Sequence, residues 1–180
     1  MKRIAYSGVE GCFAHMVAKK LFADDLHVAF GDFSKAYDSV VSGQCDMAVL
    51  PIRNSYAGEV PDVVKLLDEG RVVVTDTYEL PVVQNLLGIR GSRRSDIKTV
   101  ISQSKALEQC DEYIRQHGYE TITSTNTAVA AKTVIERCNM SVAAIGSLET
   151  AALYGLKVLD EKINSREDNV TVFAVVTKKE

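Results

Sequence analysis

Apolar and polar residues alternate along the chain with two different periods. Short apolar runs, such as "AVL" at 48–50 and "VFAVV" at 172–176, are typical of buried strands. Other stretches place apolar residues three or four positions apart, as in 12–22, where Phe13 and Val17 share one side of a helix. Strand-like and helix-like segments follow one another over the whole chain, and this order predicts an α/β fold.

The pattern gives approximate bounds for the predicted elements. The predicted strands cover residues 3–8, 26–33, 45–52, 96–103, 120–126, 141–147, 157–163 and 170–176, with two further runs in 71–89 that Pro81 separates. The predicted helices cover residues 12–22, 34–44, 61–70, 104–118, 127–138 and 148–156. Ser34 is a candidate N-cap of the second helix, Gly43 is well placed to end that helix, and Pro61 fits the first turn of the third.

The order of these elements predicts two similar α/β lobes with a cleft between them. Lobe one is expected to comprise about residues 1–76 and 168–180, and lobe two about residues 77–167, so that the last strand returns to the first lobe. Ligands in such folds bind at the carboxyl ends of strands or between lobes. Three loops are then expected to face the cleft: those after Ile52 and Ile101, and the one before Thr171.

Composition narrows the class of partner. The chain has 180 residues, 46% hydrophobic and 25% charged, as in an ordinary soluble protein. A net charge of -3 gives no basic footprint for nucleic acid, and no apolar run is long enough to span a membrane. The start "MKRIAYSG" has no signal-peptide character. We therefore expect a cytoplasmic protein that binds a small molecule, and neither nucleic acid nor a membrane.

Cysteine and histidine spacing gives no sign of a metal centre or a disulfide framework. Four cysteines lie far apart and are expected to be buried, reduced thiols: Cys12, Cys45, Cys110 and Cys138. Three histidines show no metal-ligand spacing: His15, His27 and His117. No metal is predicted.

Hydroxyl and amide side chains at strand ends are the remaining candidates for chemistry. The chain has no Walker loop, G-x-S-x-G elbow or HExxH motif. The candidates are Asn54, Ser55, Ser102, Thr127 and Thr171. Such groups suit an anionic, oxygen-rich ligand, because hydroxyls and helix N-terminal N–H groups bind carboxylates. Ordinary structural roles also fit: a turn at Asn54 and Ser55, a helix N-cap at Thr127 and a strand former at Thr171.

Six segments carry a resemblance to a known family. They are "GVEGCFAH", "AVLPIRNSYAGEV", "ISQSKALEQC", "STNTAVAAK", "AAIGSLETAALYGLKVLDEKI" and "NVTVFAVV". In the same order they are similar to the motifs of the prephenate dehydratases of phenylalanine biosynthesis, whose last motif reads N-x-T-R-F. The resemblance covers nearly the whole chain.

This resemblance implies an activity, a fold and a set of site residues. The family converts prephenate to phenylpyruvate by losing carbon dioxide and the ring hydroxyl, without a metal or organic cofactor. Its two α/β lobes enclose the active site, an architecture like that of type II periplasmic binding proteins. The threonine of T-R-F corresponds to Thr171, which would donate a hydrogen bond to the departing hydroxyl. Residues that would contact the substrate correspond to Asn54, Ser55, Thr127 and Ser102. A homodimer or larger oligomer is also implied.

Several positions depart from the family motifs. Val172 replaces the arginine of T-R-F, Arg53 replaces the glutamate before Asn-Ser, Gln84 stands where a histidine is often found, and Ala14 where a serine is often found. In S-H-P-Q-A-L, Gln103, Ser104 and Lys105 replace histidine, proline and glutamine.

Two interpretations of these departures remain open. Arg53 takes over a carboxylate contact from the lost arginine, since guanidinium groups bind carboxylates in a fork. Alternatively the pocket serves a related cyclohexadienyl acid or a decarboxylation, or it binds a small acid without chemistry. A separate interpretation is that the Arg53 side chain simply points to solvent.

Many family members continue into a regulatory ACT domain that binds phenylalanine, and some are fused to a chorismate mutase. The expectation for this chain is a single dehydratase domain with no ACT domain and no phenylalanine feedback through one.

Overall fold

The computed structural model of the protein describes residues 1–179. The strands are, in chain order, β1 (Arg3–Ser7), β2 (Leu26–Phe30), β3 (Met47–Asn54), β4 (Gly58–Glu59), β5 (Val72–Pro81), β6 (Asn85–Gly88), β7 (Thr99–Ser102), β8 (Glu120–Thr123), β9 (Val142–Gly146), β10 (Lys157–Asp160) and β11 (Val170–Lys178). The helices are α1 (Phe13–Leu21), α2 (Phe33–Val41), α3 (Pro61–Asp68), α4 (Ser104–Gln109), α5 (Asp111–His117), α6 (Thr127–Arg137) and α7 (Leu148–Tyr154), and a 3-10 turn covers Arg94–Asp96. The predicted α/β class is confirmed.

The chain divides into two compact units. The first contains Met1–Val82 and the segment that starts at Asp168, and the second contains Val83–Glu167. The sequence predicted that the first segment of this unit ends at about residue 76, which is six residues before its observed end at Val82. The difference arises because β5 pairs with β11 along its length, from Val72 opposite Lys178 to Pro81 opposite Val170.

The first unit is built on a mixed sheet in the order β2-β1-β3-β11-β5, with β4 paired to β3. β1 pairs in parallel with β2 and β3, whereas β11 is antiparallel to both of its neighbours. Successive residues of β11 enter different buried clusters: Phe173 packs with Val17 of α1, and Ala174 packs with Tyr37 of α2. Both faces of this sheet are therefore covered, and β11 contributes to both.

The second unit has a five-stranded sheet in the order β10-β6-β9-β7-β8. β7 is parallel to β8 and β9, and β6 is antiparallel to β9 and β10. Leu86 and Leu87 of β6 are fully buried and belong to different clusters: Leu86 packs with Ile114 of α5, and Leu87 with Val134 of α6. Over residues 1–179 no helix is both long enough and apolar enough to cross a membrane.

Three local predictions are corrected. The predicted single helix over 104–118 is two helices, because Cys110 leaves helical geometry (φ -113°, ψ 14°) and places its thiol in the buried core. Ser34 is not the N-cap of α2; Asp32 is, and its carboxylate accepts a hydrogen bond from the Lys35 N–H at 2.7 Å. The prediction of buried thiols holds for Cys45 and Cys110, whereas Cys12 is half-buried and Cys138 is exposed.

The N-cap of α2 can be tested by comparing two substitutions. Hydrogen bonds from the Lys35 N–H and ammonium group hold the pKa of Asp32 below its usual range. A lowered carboxyl pKa stabilises the fold above about pH 4 and loses this effect as the pH falls through the folded-state pKa. We expect Asp32→Ala to lower the midpoint of thermal unfolding at pH 7, by an amount that shrinks in acid.

Ser34→Ala is the matched control and is expected not to lower the midpoint, because Ser34 lies inside the helix and caps nothing. Equal losses for the two variants would contradict the assignment of Asp32 as the N-cap.

Candidate functional site

Thr171 and Asn54 face each other across neighbouring strands of the first unit. They form a cross-strand pair where β3 ends and β11 begins. Both are half-buried, and the Asn54 Nδ2 donates a hydrogen bond to the Thr171 Oγ1 at 3.0 Å. This contact joins two of the residues that the sequence selected, although they lie far apart along the chain.

Backbone contacts fix the orientation of the Asn54 amide. Its Oδ1 accepts hydrogen bonds from the N–H groups of Tyr56 and Ala57, both at 3.0 Å. The turn predicted after β3 thus uses the oxygen of the side chain, and the NH₂ group is directed to β11. The Thr171 oxygen is left as an acceptor, and no group within residues 1–179 accepts its hydrogen. The Asn54 contact therefore leaves the hydrogen of the Thr171 hydroxyl uncommitted among the described residues.

Ser55 fastens the start of β11 rather than presenting a free hydroxyl. Its Oγ accepts from the Val170 N–H at 3.0 Å and donates to the Asp168 carbonyl at 3.3 Å. Its own N–H donates to the Val170 carbonyl at 2.9 Å. These bonds fix the backbone that leads into Thr171, so the role of Ser55 seen here is structural.

Arg53 and Val172 form the next pair along the same two strands. Consecutive residues of a strand point to opposite faces, so this pair lies on the other face from Thr171 and Asn54. A β-bulge at Ile52 precedes the Arg53–Val172 pair, and Ile52 packs on the face that α2 covers. The exposed Arg53 makes no ion pair with any residue in 1–179. The sequence placed Arg53 in the substrate site, and its register does not favour that role.

Removing the Arg53 side chain tests this register. We expect Arg53→Ala to leave KM for the substrate essentially unchanged, because the Arg53 side chain leaves the strand on the face opposite to the Thr171 hydroxyl. A substrate-binding arginine would instead raise KM by roughly tenfold or more. Steady-state kinetics decide between the two results, with the circular dichroism spectrum as the check on folding.

The loop between β1 and α1 lies at the same end of the sheet, since β1 and β3 run in parallel. Gly8 has φ +118°, and a Cβ added there would lie 2.9 Å from the Cys12 Sγ. The Gly11 N–H donates to the His15 Nδ1 at 3.0 Å. The match of "GVEGCFAH" to a family motif thus falls on a tightly packed turn that only glycine fits at its first position.

Burial keeps three ionisable groups beside this loop uncharged at neutral pH. Desolvation lowers the pKa of His15, and the nearby His27 lowers it further. Desolvation raises the pKa of the Cys12 thiol and raises that of Tyr6 to about 12. At pH 7 these side chains are a neutral imidazole, a thiol and a phenol, so they add no charge to this end of the sheet.

Ser102 and Thr127 belong to the second unit, and their environments differ. Ser102 is buried, and its Oγ donates to the Ile145 carbonyl at 2.8 Å, which ties β7 to β9. Thr127 is the first residue of α6, while Asn126 is the N-cap and accepts from the Val129 N–H at 2.9 Å. The interpretation of Thr127 as an N-cap is therefore wrong by one position.

The start of α6 retains free donors. Within residues 1–179 nothing accepts from the Thr127 hydroxyl or from the N–H groups of Thr127 and Ala128. Unpaired N–H groups and the helix dipole make such a terminus favourable for an anion. No group of three or more His, Cys, Asp or Glu side chains that could hold a metal ion is found in the described part of the chain.

Asn169 is a site residue that the sequence reasoning missed. It is 4% exposed, and its Oδ1 accepts a hydrogen bond from the Asn54 Nδ2 at 2.7 Å. The signal was present, since Asn169 is the asparagine of the N-x-T match that singled out Thr171. Spacing alone did not show that the two asparagines meet.

Comparison with known proteins defines the class. The family model "Prephenate dehydratase" matches residues 4–180. Arogenate dehydratase/prephenate dehydratase 1 of Arabidopsis thaliana is 35% identical over 98% of this chain and 45% of its own length. The bifunctional chorismate mutase/prephenate dehydratase of Escherichia coli is 30% identical over 98% of this chain and 47% of its own. The chain thus spans less than half the length of these curated relatives.

Solved structures share the fold of this chain. Prephenate dehydratase from Arthrobacter aurescens, in complex with L-Phe, has a TM-score of 0.89 and 26% identity over 99% of this chain and 61% of its own. A quorum-quenching acylase has a TM-score of 0.87 and 26% identity over 99% of this chain and 65% of its own. A periplasmic substrate-binding protein from Coxiella burnetii, with a TM-score of 0.52 and 11% identity over 99% of this chain and 84% of its own, shares the fold alone.

The fold is therefore an α/β fold that the solved prephenate dehydratase and the periplasmic substrate-binding protein share. The chain belongs to the prephenate dehydratase family, which is a family of lyases.

Proposed function

We propose that this chain is the catalytic part of a dehydratase that converts prephenate to phenylpyruvate. The observation that carries the proposal is the Thr171 hydroxyl, whose oxygen accepts from Asn54 while its hydrogen has no partner in residues 1–179. Family membership supplies the reaction class, and the Thr171–Asn54 contact supplies a donor suited to it.

The chemistry needs a donor at the leaving group. The bond between the ring and its hydroxyl oxygen breaks, and the bond between the ring and its carboxylate breaks to release carbon dioxide. The electron pair of that second bond completes the aromatic ring, while the departing hydroxide takes up one proton and leaves as water. Hydroxide is a poor leaving group, so a hydrogen bond from Thr171 that strengthens as the bond breaks lowers the barrier.

The start of α6 is the candidate for holding a substrate carboxylate. The Thr127 hydroxyl and two free N–H groups offer donors without a formal charge. Together with the helix dipole they suit an anionic group, and a small dianionic acid such as prephenate carries two. Ser102 and Ser55 are proposed as supports of the neighbouring backbone, because their hydroxyls are engaged with backbone groups. A direct substrate contact by Arg53 stays a prediction that its register disfavours.

Arogenate is a second candidate substrate. The relative from Arabidopsis thaliana carries both activities in its name. Arogenate has an amino group where prephenate has a side-chain ketone, and the ring that loses water and carbon dioxide is the same. The Thr171 donor serves either substrate, and phenylalanine replaces phenylpyruvate as the product. A cytoplasmic location stays a proposal that rests on composition and cysteine usage, and a homodimer or larger oligomer one that rests on the family resemblance.

An assay with both substrates tests the proposed reaction. We expect wild-type protein to form phenylpyruvate from prephenate or phenylalanine from arogenate, with loss of substrate matching gain of product. Thr171→Val removes the donor and keeps the shape, so kcat should fall by about a hundredfold or more. Thr171→Ser keeps the hydroxyl and should retain a larger part of the activity.

Other results would redirect the assignment. Substrate consumed without either aromatic product indicates a different lyase, and binding without turnover indicates a binding protein. Equal activity of wild type and Thr171→Val would remove Thr171 from the mechanism.

Thr127→Val tests the proposed carboxylate contact. The substitution keeps a β-branched side chain at the start of α6 and removes only the hydroxyl. We expect KM to rise by roughly tenfold with a smaller change in kcat, since a hydrogen bond to a charged group contributes about 1.5–3 kcal/mol. Ser102→Ala is the comparison, and its main expected effect is on thermal stability. A KM that stays at the wild-type value in Thr127→Val would exclude the contact.

A further inference from the structure

Asn169 is held firmly at the point where the chain enters β11. Its side chain is 4% exposed, and its backbone carbonyl accepts from the Val82 N–H at 2.8 Å. The hydroxyl of Ser55 binds the backbone on either side of it, at Asp168 and Val170. Both the backbone and the side chain of Asn169 therefore have a fixed position relative to Asn54.

The Asn54 amide nitrogen lies near three acceptors and has two hydrogens to give. The distances from Nδ2 are 2.7 Å to the Asn169 Oδ1, 3.0 Å to the Thr171 Oγ1 and 3.2 Å to the Val170 carbonyl. The shortest of the three contacts is with Asn169. With one hydrogen committed to Asn169 and the Oδ1 committed to the turn, the planar amide must direct its other hydrogen toward Thr171 and the Val170 carbonyl.

We propose that Asn169 is a positioning residue for the Thr171 hydroxyl, and that it acts through Asn54. Its carbonyl oxygen holds the Asn54 amide in the orientation that makes the Thr171 oxygen an acceptor. The hydrogen of Thr171 is then left for the leaving group of the substrate. This inference rests on the proposed dehydratase function, and it assigns no direct substrate contact to Asn169.

The same chemical change at the two asparagines gives opposite predictions. Asn169→Asp keeps an oxygen that accepts from Asn54, whereas Asn169→Leu has a similar shape and removes that oxygen. Asn54→Asp keeps the oxygen that the turn uses but removes the NH₂ group. A carboxylate at position 54 would draw the hydrogen of Thr171 to itself and away from the substrate.

These variants are compared by steady-state kinetics with the better of the two substrates. The assay is run at about pH 8, so that the introduced carboxylates are ionised. We expect Asn169→Leu to lower kcat by about tenfold or more with little change in KM, since a misdirected donor acts on the transition state. Asn169→Asp should recover kcat to within about fivefold of wild type, and Asn54→Asp should lose as much as Asn169→Leu or more.

Two kinetic results would overturn the proposal. Equal losses in Asn169→Asp and Asn169→Leu would show that the NH₂ group of Asn169 is required rather than its oxygen. A rise in KM with unchanged kcat would show that Asn169 binds the substrate directly.

A readout without turnover separates this inference from the proposed function. In the ¹H–¹⁵N spectrum, the side-chain NH₂ of Asn54 should be assigned and protected from exchange in wild type and Asn169→Asp. Asn169→Leu should shift it and increase its exchange with solvent. An unchanged Asn54 signal in a folded Asn169→Leu protein contradicts the proposal whether or not the wild type is a dehydratase, whereas a wild type inactive on both substrates contradicts only the function.

Discussion

The insertion of β11 between β3 and β5 is the constraint on which the first unit depends. This strand comes from the far end of the chain and is antiparallel to both neighbours, with buried side chains on both faces of the sheet. A shift of one residue would exchange Phe173 and Ala174 between two differently shaped cores, so the register is strongly specified. The same register places Thr171 opposite Asn54. The packing of the core thus sets the register, and the register places the Asn54 side chain beside the Thr171 hydroxyl.

Two departures from the family motifs lie beside Thr171, next to the β-bulge at Ile52. The two replaced residues, Arg53 and Val172, are opposite each other on β3 and β11. Where the family motifs have glutamate and arginine, this chain has arginine and valine, and both changes fall on the same cross-strand pair. Replacing an oppositely charged cross-strand pair by arginine and valine is expected to change the stability of the strand pairing on that face only modestly. The Thr171–Asn54 contact lies on the other face and does not involve either residue.

The sequence predicted the elements and the identity of the candidate donor, because both are local properties. Hydrophobic period gave the strands and helices, and the order of short motifs singled out Thr171. What it missed depends largely on tertiary position. The break at Cys110 and the end of the first segment of unit one at Val82 are decided by packing and by strand pairing. The N-cap of α2 is a local contact between Asp32 and Lys35, and the sequence pattern misplaced it by two residues.

In the candidate site, too, the sequence predicts which types of residue are present, whereas the role of each depends on its tertiary position. Ser55 and Ser102 look like free hydroxyls in the sequence, yet each is engaged with a backbone group that only the folded chain brings near. Its position in the motif and its guanidinium group suggest a substrate contact for Arg53, whereas the strand register puts it on the face opposite to Thr171. Asn169 belongs to the N-x-T motif match, but the motif does not show that its side chain contacts Asn54.

A threonine hydroxyl is not by itself a donor or an acceptor, because its hydrogen rotates to suit its surroundings. In water or on a bare strand, Thr171 would spend part of its time donating to nearby carbonyl oxygens. The NH₂ group of Asn54 removes that freedom, since two donors cannot face each other, and the Asn54 Oδ1 is already bound to two backbone N–H groups. The hydroxyl is therefore oriented before any ligand arrives, and preorganised donors of this kind reduce the rearrangement needed in the transition state. In this chain an uncharged amide and the register of two strands provide that orientation, and Val172 beside the threonine contributes no polar group to it.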